Sequence, residues 1–278
     1  LLLFLITACS KNDETSQESV KTTAISAKEE TASIAVALVT DSAGIDDTSF
    51  NQSAWEGLQR WGKANQLTQG IGGYDYLVSV NDGEYVPNLT QLIEDEFQLI
   101  FGLGFLLADA IALVAAEYPD TMFAIVDTVV DQPNVASITF AEHEGSFLVG
   151  VAAALKTQTN KIGFIGGVDS PVIQKFEAGF RAGVHAIDPE ITVEVQYADG
   201  FNDFAKGKAL ASDMFDHNID IIYHAAGATG NGVIAEAKER KLANLSQDIW
   251  VIGVDRDQYA EGIYDEASGA SIVYTSMV

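Results

Sequence analysis

The sequence predicts an α/β protein with two similarly wound lobes, each built on a parallel sheet with helices on both faces. Short apolar runs rich in β-branched residues alternate with longer segments of helical spacing, which is typical of such a fold. The length of 278 residues is enough for about two domains, each with its own core. In addition, two strand–loop–helix units, at 34–58 and 161–180, resemble each other.

The predicted strands and helices follow one another in regular order. Apolar runs that end in Gly or Asp turns predict strands at 34–40, 99–103, 123–127, 162–166, 193–197, 219–224 and 249–255, and 269–278 predicts a further one. Helical spacing predicts helices at 51–64, 88–95, 107–117, 144–155, 172–186, 204–218 and 232–241. Ligands of parallel sheets bind beyond the carboxyl ends of the strands. The site is therefore expected in the loops that start at Asp41, Gly102, Asp127, Gly167, Gly227 and Asp255.

The two similar units support a repeated architecture. In each, a strand ends in Asp-Ser, at Asp41 and at Asp169, and leads into a helix. In each of these helices a glycine, Gly57 or Gly179, lies close to an aromatic residue. Two similarly wound lobes are the natural interpretation, although any two strand–helix units look somewhat alike and that alternative stays open at this point.

The charge of the chain limits its partners. It has 40 acidic and 15 basic residues, a formal net charge of −25. Such a surface repels the phosphates of nucleic acids and anionic membranes, so DNA or RNA binding is not expected. The acidic residues are interpreted as a charged surface that keeps the protein soluble.

The amino-terminal segment predicts a lipid anchor. Residues 1–9 form an apolar run that is too short to span a bilayer, and they are interpreted as a signal-peptide remnant. Within it, 6–9 resembles a bacterial lipobox, and Cys9, the only cysteine, is the predicted lipidation site. A chance cysteine beside an apolar segment is the alternative. Residues 10–32 are rich in Ser, Thr, Lys and Glu and are expected to form a disordered tether. Both ends of the sequence are expected to be truncated.

Catalytic motifs are absent from the sequence. It contains no HExxH, GxSxG or GxxxxGK[ST] pattern, and its four histidines are widely separated, so no metal site is predicted. Two glycine-rich stretches, 102–104 and 227–232, follow predicted strands without completing a GxGxxG pattern. Close approach to an uncharged ligand, or simple turn chemistry, is the better interpretation of both.

A set of five spaced motifs is more specific. The segment 41–57 contains Asp41, Phe50 and Asn51, where Ser49 or Asn51 would cap the following helix. The other four motifs are Phe123-Ala-Ile-Val-Asp127, Gly200-Phe201-Asn-Asp-Phe-Ala-Lys-Gly-Lys208, His224-Ala-Ala-Gly-Ala-Thr-Gly-Asn-Gly232 and Ile252-Gly-Val-Asp-Arg-Asp-Gln258. Together they resemble the basic membrane protein family of substrate-binding lipoproteins, which includes purine nucleoside receptors of bacterial ABC importers. The resemblance covers about residues 33–278.

The resemblance implies a type I periplasmic-binding-protein fold, with a nucleoside held in a cleft between two doubly wound lobes. Lobe 1 would comprise 33–140 plus 274–278, and lobe 2 would comprise 141–273. Phe50 and Phe201 would stack on a purine from opposite sides. Asp41, Asn51 and Asp127 would hydrogen-bond the base or the ribose, and Asp255 would accept from ribose hydroxyls. The backbone at Gly227 would approach the ligand. The implied ligand-binding residues are therefore Asp41, Phe50, Asn51, Asp127, Phe201, Gly227 and Asp255.

The prediction is an extracytoplasmic, lipid-anchored receptor that delivers a purine nucleoside to an ABC permease. It is not expected to be an enzyme, needs no cofactor or metal, touches the membrane only through its anchor and functions as a monomer. The alternatives are a receptor of the same fold for a sugar or signalling molecule, and a nucleoside hydrolase. Receptors of the family usually supply a lysine just after the strand that ends at 275–278, and this sequence stops before that position.

Overall fold

The computed structural model describes residues 34–278. The predictions for the signal-peptide remnant (1–9), for lipidation at Cys9 and for the tether (10–32) lie outside the described residues. None of the helices between residues 34 and 278 is both long and apolar enough to cross a bilayer.

The first lobe is a five-stranded parallel sheet with the strand order β2-β1-β3-β4-β5. Its strands are β1 (Val36–Thr40), β2 (Tyr74–Val78), β3 (Leu99–Gly102), β4 (Met122–Val126) and β5 (Val135–Ile138). Its helices are α1 (Phe50–Ala64), α2 (Tyr85–Glu94) and α3 (Ala108–Glu117), with short 3₁₀ turns at Asp82–Glu84 and Phe105–Leu107.

The second lobe repeats this winding. Its five-stranded parallel sheet has the order β12-β9-β8-β6-β7. The strands are β6 (Lys161–Gly166), β7 (Thr192–Tyr197), β8 (Ile221–Ala225), β9 (Trp250–Val254) and β12 (Val273–Met277), with a small hairpin of β10 (Ile263–Asp265) and β11 (Ala270–Ser271). The helices are α4 (Glu142–Lys156), α5 (Pro171–Ile187), α6 (Phe204–Asp216) and α7 (Ala228–Ala243). The similarity between 34–58 and 161–180 thus has a structural counterpart, since β1–α1 and β6–α5 open their lobes in the same way.

Both sheets are covered on both faces, as continuous apolar strands require. All five residues of β1 are buried, and they alternate between two clusters. Ala37 and Val39 contribute to the core shared with α2 and α3, whereas Val36 and Leu38 contribute to the core shared with α1. The second sheet is likewise covered by two apolar clusters. The prediction of two parallel-sheet α/β lobes is confirmed.

In the two five-stranded sheets, the strands that the sequence did not predict are edge strands. β2 and β5 lie at the two edges of the first sheet and are half exposed, so they lack a continuous apolar run.

The boundary between the lobes differs from the prediction at one place: residues 274–278 were expected in lobe 1. Instead, β12 pairs in parallel with β9 of the second sheet, with Met277 beside Val254, because it extends the hydrogen-bond ladder of that sheet.

Helices α4 and α5 are in very close contact because glycines line their interface. A Cβ on Gly183 would overlap the carbonyl oxygen of Phe147, and one on Gly150 would overlap that of Phe180. Neither backbone can retreat without moving a whole helix, so both positions require glycine.

Gly183→Ala is therefore expected to destabilise the fold by about 1–3 kcal/mol, the usual cost of overpacking a filled interface. Gly57→Ala on α1 is the matched control, since its Cβ would only reach ordinary contact with the Arg60 side chain at 3.8 Å. That control is expected to stabilise the helix by about 0.5–1 kcal/mol. Urea unfolding of both variants measures the difference, and equal stabilities would contradict the close contact between α4 and α5.

Candidate functional site

One cavity between the two lobes collects the predicted ligand-binding residues. It contains about 640 Å³ of space free of protein atoms, counted out to its mouth. Both lobes contribute, and the strand-end loops predicted from the sequence provide much of the lining. The predicted residues that line it are Asp41, Phe50, Asn51, Asp127, Phe201, Gly227 and Asp255.

Asp41 and Asn51 form one polar corner of the cavity. Asp41 follows β1, and its Oδ1 accepts from the Asn51 side-chain amide at 2.8 Å and from the backbone N–H of Ala43 at 3.1 Å. Asn51, in the first turn of α1, is 2% exposed. Its Oδ1 is buried and has no hydrogen-bond partner among residues 34–278. A buried amide oxygen of this kind is available to a donor on a ligand.

Asp127 and Asp255 occupy equivalent positions in the two lobes. Each directly follows a strand, β4 or β9, and each has a left-handed backbone with φ of +67° and +68°. Their N–H groups donate to the carbonyls of Ile138 and Met277, at 2.8 and 2.9 Å. Aspartate is one of the few residues that adopts this conformation readily, and here it turns the chain so that both side chains line the cavity.

The buried carboxylates are electrostatically unusual. Burial raises the pKa of Asp127 to about 6, the carboxylate of Glu142 adds to the increase, and Lys175 opposes it. Burial also raises the pKa of Asp255 to about 7. The hydrogen bond from the Ser49 hydroxyl lowers this pKa, whereas the nearby carboxylates raise it further. No lysine, arginine or histidine in the described part of the chain lines the cavity. Its polar lining thus consists mainly of acceptors.

Aromatic rings from both lobes form the apolar walls. Phe50 lies beside Gly104, where an added Cβ would be 3.7 Å from its ring, and Phe201 covers Gly167 so closely that a Cβ there would overlap the ring. Phe105 of lobe 1 contacts Phe201 edge-on, with 6.1 Å between ring centroids and an interplanar angle of 76°.

Gly227 precedes α7 and also has a left-handed backbone, with φ of +54°. A Cβ at this position would come within 3.3 Å of the Phe201 carbonyl oxygen. The other glycines of this stretch serve packing, because α7 begins earlier than the sequence predicted, at Ala228. A Cβ on Gly232 would overlap the carbonyl of Phe204 on α6. Of the two interpretations of 227–232, simple turn chemistry is therefore wrong beyond Gly227, and close approach to a ligand stays a prediction for Gly227.

Asp47, Phe105 and Phe176 are among the cavity-lining residues that sequence reasoning missed. Asp47 caps α1: its Oδ1 accepts from the N–H groups of Ser49 and Gln52, and its Oδ2 accepts from that of Asn51, all at 2.9 Å. The sequence predicted that Ser49 or Asn51 would cap α1. Instead, the backbone N–H groups of both residues donate to the Asp47 carboxylate. Phe105 follows the predicted strand-end glycines, so its position gave a usable signal. Phe176 lies within α5, where helical spacing gave no sign of a ligand contact.

A group of metal-ligand type lies elsewhere. Glu194, Asp213 and His217 bring one ligand atom each within 4.8 Å of the others at the surface beside edge strand β7. Gln196 donates to both carboxylates, at 2.9 and 3.1 Å. None of these residues lines the cavity between the lobes.

The chemistry of the cavity follows from its lining. Asp41, Asp127, Asp255 and the free oxygen of Asn51 accept hydrogen bonds, while the phenylalanine rings provide flat apolar faces. Such a combination suits a ligand with a flat ring, several N–H or O–H donors and no negative charge.

The comparison with known families matches residues 34–278 to the family model described as Bmp, ABC transporter substrate-binding protein PnrA-like. A CD4+ T-cell-stimulating antigen of Listeria monocytogenes is 53% identical over 228 residues, which are 82% of this chain and 64% of the antigen. The ABC transporter nucleoside-binding protein BmpA of Lactococcus lactis subsp. cremoris is 48% identical over 84% of this chain and 67% of its own length. The chain thus spans about 64% of the length of the Listeria relative.

The fold is similar to that of a solved solute-binding protein. A crystal structure of ABC transporter system solute-binding proteins from Aeropyrum pernix K1 superposes with a TM-score of 0.73 and 27% sequence identity. The match covers 82% of this chain and 64% of that one. The prediction of a type I periplasmic-binding-protein fold is thereby confirmed.

The raised pKa of Asp255 makes a prediction about stability. Between about pH 4 and 7 the folded chain keeps a proton on Asp255 that the unfolded chain loses, so the free energy of unfolding falls as pH rises and levels off above 7. Asp255→Asn is expected to remove the part of this fall in the free energy of unfolding that comes from Asp255, which is on the order of a few kcal/mol at most. Urea unfolding at pH 4.5 to 8 measures it.

Asp120→Asn, at an exposed position, is the control and is expected to follow the parent at every pH. An Asp255→Asn variant whose stability declines as steeply as that of the parent would show that Asp255 is already charged in the folded state at low pH.

Proposed function

The chain belongs to the PnrA-like family of ABC transporter substrate-binding proteins, and from that premise we propose that it captures a purine nucleoside between its lobes for an ABC importer. The observation that carries the proposal is the pairing of aromatic walls with acceptors in one cavity that contains no cation from the described residues. The name of the Lactococcus relative, a nucleoside-binding protein, supports the same ligand class.

The base lies between Phe50 and Phe201 in this proposal. These rings come from different lobes and line the same cavity, so closing the lobes completes a sandwich around a flat ring. Aromatic stacking on a base contributes about 1–3 kcal/mol for each base and tolerates different bases. Asn51 and Asp41 then form hydrogen bonds with the edge of the base, where the buried Asn51 Oδ1 accepts from a ring N–H or amino group.

The ribose lies near the strand-end carboxylates. Asp127 and Asp255 accept from its hydroxyls, and Gly227 allows the backbone to approach the ligand. The Ser49 hydroxyl already donates to Asp255 Oδ2 at 2.6 Å across the cleft, and in this proposal Oδ1 of the same carboxylate accepts from the ligand. Charge-assisted bonds of this kind are stronger than bonds between neutral groups.

The charge of the cavity selects a nucleoside over a nucleotide. Asp41, Asp47, Asp127 and Asp255 all line the cavity, and a phosphate among them would meet strong repulsion in a poorly solvated space. A neutral nucleoside contributes donors without that cost. In this proposal the ligand is bound and released unchanged, as transport requires, and the protein is not an enzyme.

The cellular setting is part of the proposal. The lipobox-like sequence before Cys9 supports an extracytoplasmic protein held at the membrane by lipid, with residues 10–32 as the tether. The two lobes then act as a monomer that presents the closed, loaded form to the permease. Neither a cofactor nor a metal takes part.

Phe50→Ala and Phe201→Ala are each expected to weaken the binding of adenosine or guanosine by about 1–3 kcal/mol, because each removes one stacking face. Isothermal titration of the purified variants measures the loss, and thermal melting checks that the fold is intact.

Phe204→Ala is the matched control, since Phe204 is 52% exposed and does not line the cavity. Its affinity is expected to equal that of the parent. If both cavity variants bind as tightly as this control, the aromatic sandwich is wrong.

A further inference from the structure

The hydrogen bonds that join the two lobes converge on one segment of lobe 1. In the described part of the chain, six such bonds cross the cleft, and their lobe 1 ends all lie between residues 42 and 56. Two of them are separate contacts: Asn202 donates to the Ser42 carbonyl at 2.6 Å, and Arg256 lies 3.4 Å from Glu56. The other four involve residues 47–49, here called the clasp loop.

Thr48 is the centre of the clasp loop. Its hydroxyl donates to Asn231 Oδ1 at 2.7 Å, and Asn231 Nδ2 donates back to the Asp47 carbonyl at 2.8 Å. Gln258 Nε2 donates to the Thr48 carbonyl at 3.0 Å. Two side chains of lobe 2 thus hold two adjacent residues of lobe 1 through three hydrogen bonds, two of them to Thr48.

The lobe 2 side of this contact is rigidly mounted. Gln258 is completely buried, and its Oε1 accepts from the Val254 N–H at 3.0 Å at the end of β9. Its own N–H donates to Ser276 Oγ on β12 at 3.1 Å. Gln258 therefore links the strand end that carries Asp255 to the clasp loop.

Thr48 also has an unusual backbone. Its φ is +51°, in the left-handed region that β-branched residues rarely occupy. Such a conformation persists only where the surroundings hold it in place. Here the Asp47 cap of α1 holds it from one side and the two lobe 2 side chains hold it from the other.

The clasp loop is continuous with the ligand cavity. Asp47 lines the cavity, Ser49 donates to Asp255, and Phe50 begins α1 directly after the loop. When Thr48 engages lobe 2, the Phe50 ring and the Asp255 carboxylate are therefore fixed on either side of the same space.

We propose that Thr48, Asn231 and Gln258 form an interlobe clasp, in which Asn231 and Gln258 are positioning residues that set how long the closed cleft retains its ligand. The clasp contacts no ligand itself and acts by stabilising the closed arrangement. Its effect on retention rests on the nucleoside-binding function proposed above, whereas its effect on closure does not. The clasp is therefore expected to change the dissociation rate far more than the association rate.

Thr48→Val and Thr48→Ser provide a matched pair. Valine keeps the branched shape but removes the hydroxyl that donates to Asn231, and serine keeps the hydroxyl. In stopped-flow measurements with guanosine and adenosine, Thr48→Val is expected to dissociate roughly tenfold faster than the parent, from the loss of a hydrogen bond and an unsatisfied partner. Thr48→Ser is expected to remain within about twofold of the parent, and the association rates of both should change little.

Asn231→Ala and the double variant Thr48→Val/Asn231→Ala complete the test. If the two residues act as one clasp, the double variant dissociates no faster than Asn231→Ala alone. Independent packing effects would instead multiply, and that result would overturn the pairing. Thermal melting of every variant identifies any that fail to fold.

The radius of gyration of the ligand-free variants, from small-angle scattering, separates the clasp from the proposed function. A larger radius for Thr48→Val than for Thr48→Ser supports the clasp even if neither nucleoside binds the parent, in which case only the proposed function fails. If a nucleoside binds, equal radii and equal dissociation rates for Thr48→Val and Thr48→Ser overturn the clasp. If no nucleoside binds, equal radii for the two variants are enough to overturn it.

Discussion

Among the polar side chains that line the space between the two lobes, hydrogen-bond acceptors predominate. Asp41, Asp47 and Asp127 of the first lobe and Asp255 of the second line one cavity, and no basic side chain of residues 34–278 lines it with them. Placing these carboxylates in the cleft costs free energy, as the pKa values of Asp127 and Asp255 show, which are raised chiefly by burial and further by neighbouring carboxylates. A ligand that donates several hydrogen bonds offsets that cost, and this need for donors links the closing of the lobes to the identity of the ligand.

The fold supplies this arrangement by repetition. Two parallel sheets with the same strand order turn their carboxyl ends toward a common cleft, so equivalent turns after β4 and β9 carry Asp127 and Asp255. The loop after β1 does two tasks. Through Asp47 it caps α1 and lines the cavity, and through Thr48 and Ser49 it bonds to the opposite lobe. The cavity lining and the contact between the lobes are thus adjacent in the chain.

Part of the cavity lining could be predicted from the chain itself because strand ends and turn residues are local features, whereas Phe50, Asn51 and Phe201 were implied by the family resemblance. Asp41, Asp127 and Asp255 could be found from apolar runs that end in aspartate. Phe176 could not be found this way, because a phenylalanine at helical spacing is usually a core residue. The partner of β12 was also beyond reach, since nothing in residues 273–277 specifies which sheet will accept them. Likewise, the bond between Thr48 and Asn231 joins residues 183 positions apart, and no local pattern predicts such a contact.

The most direct test is an isothermal titration of the protein with adenosine, adenosine 5′-monophosphate and ribose under identical conditions, with chromatography of the recovered ligand. We expect adenosine to bind and to be recovered unchanged, and the monophosphate and ribose to bind at least about tenfold more weakly, since one adds negative charge and the other lacks a stacking ring. Binding of the monophosphate as tight as that of adenosine would contradict the electrostatic account. Silence toward adenosine, or its conversion to products, would contradict the proposed receptor function.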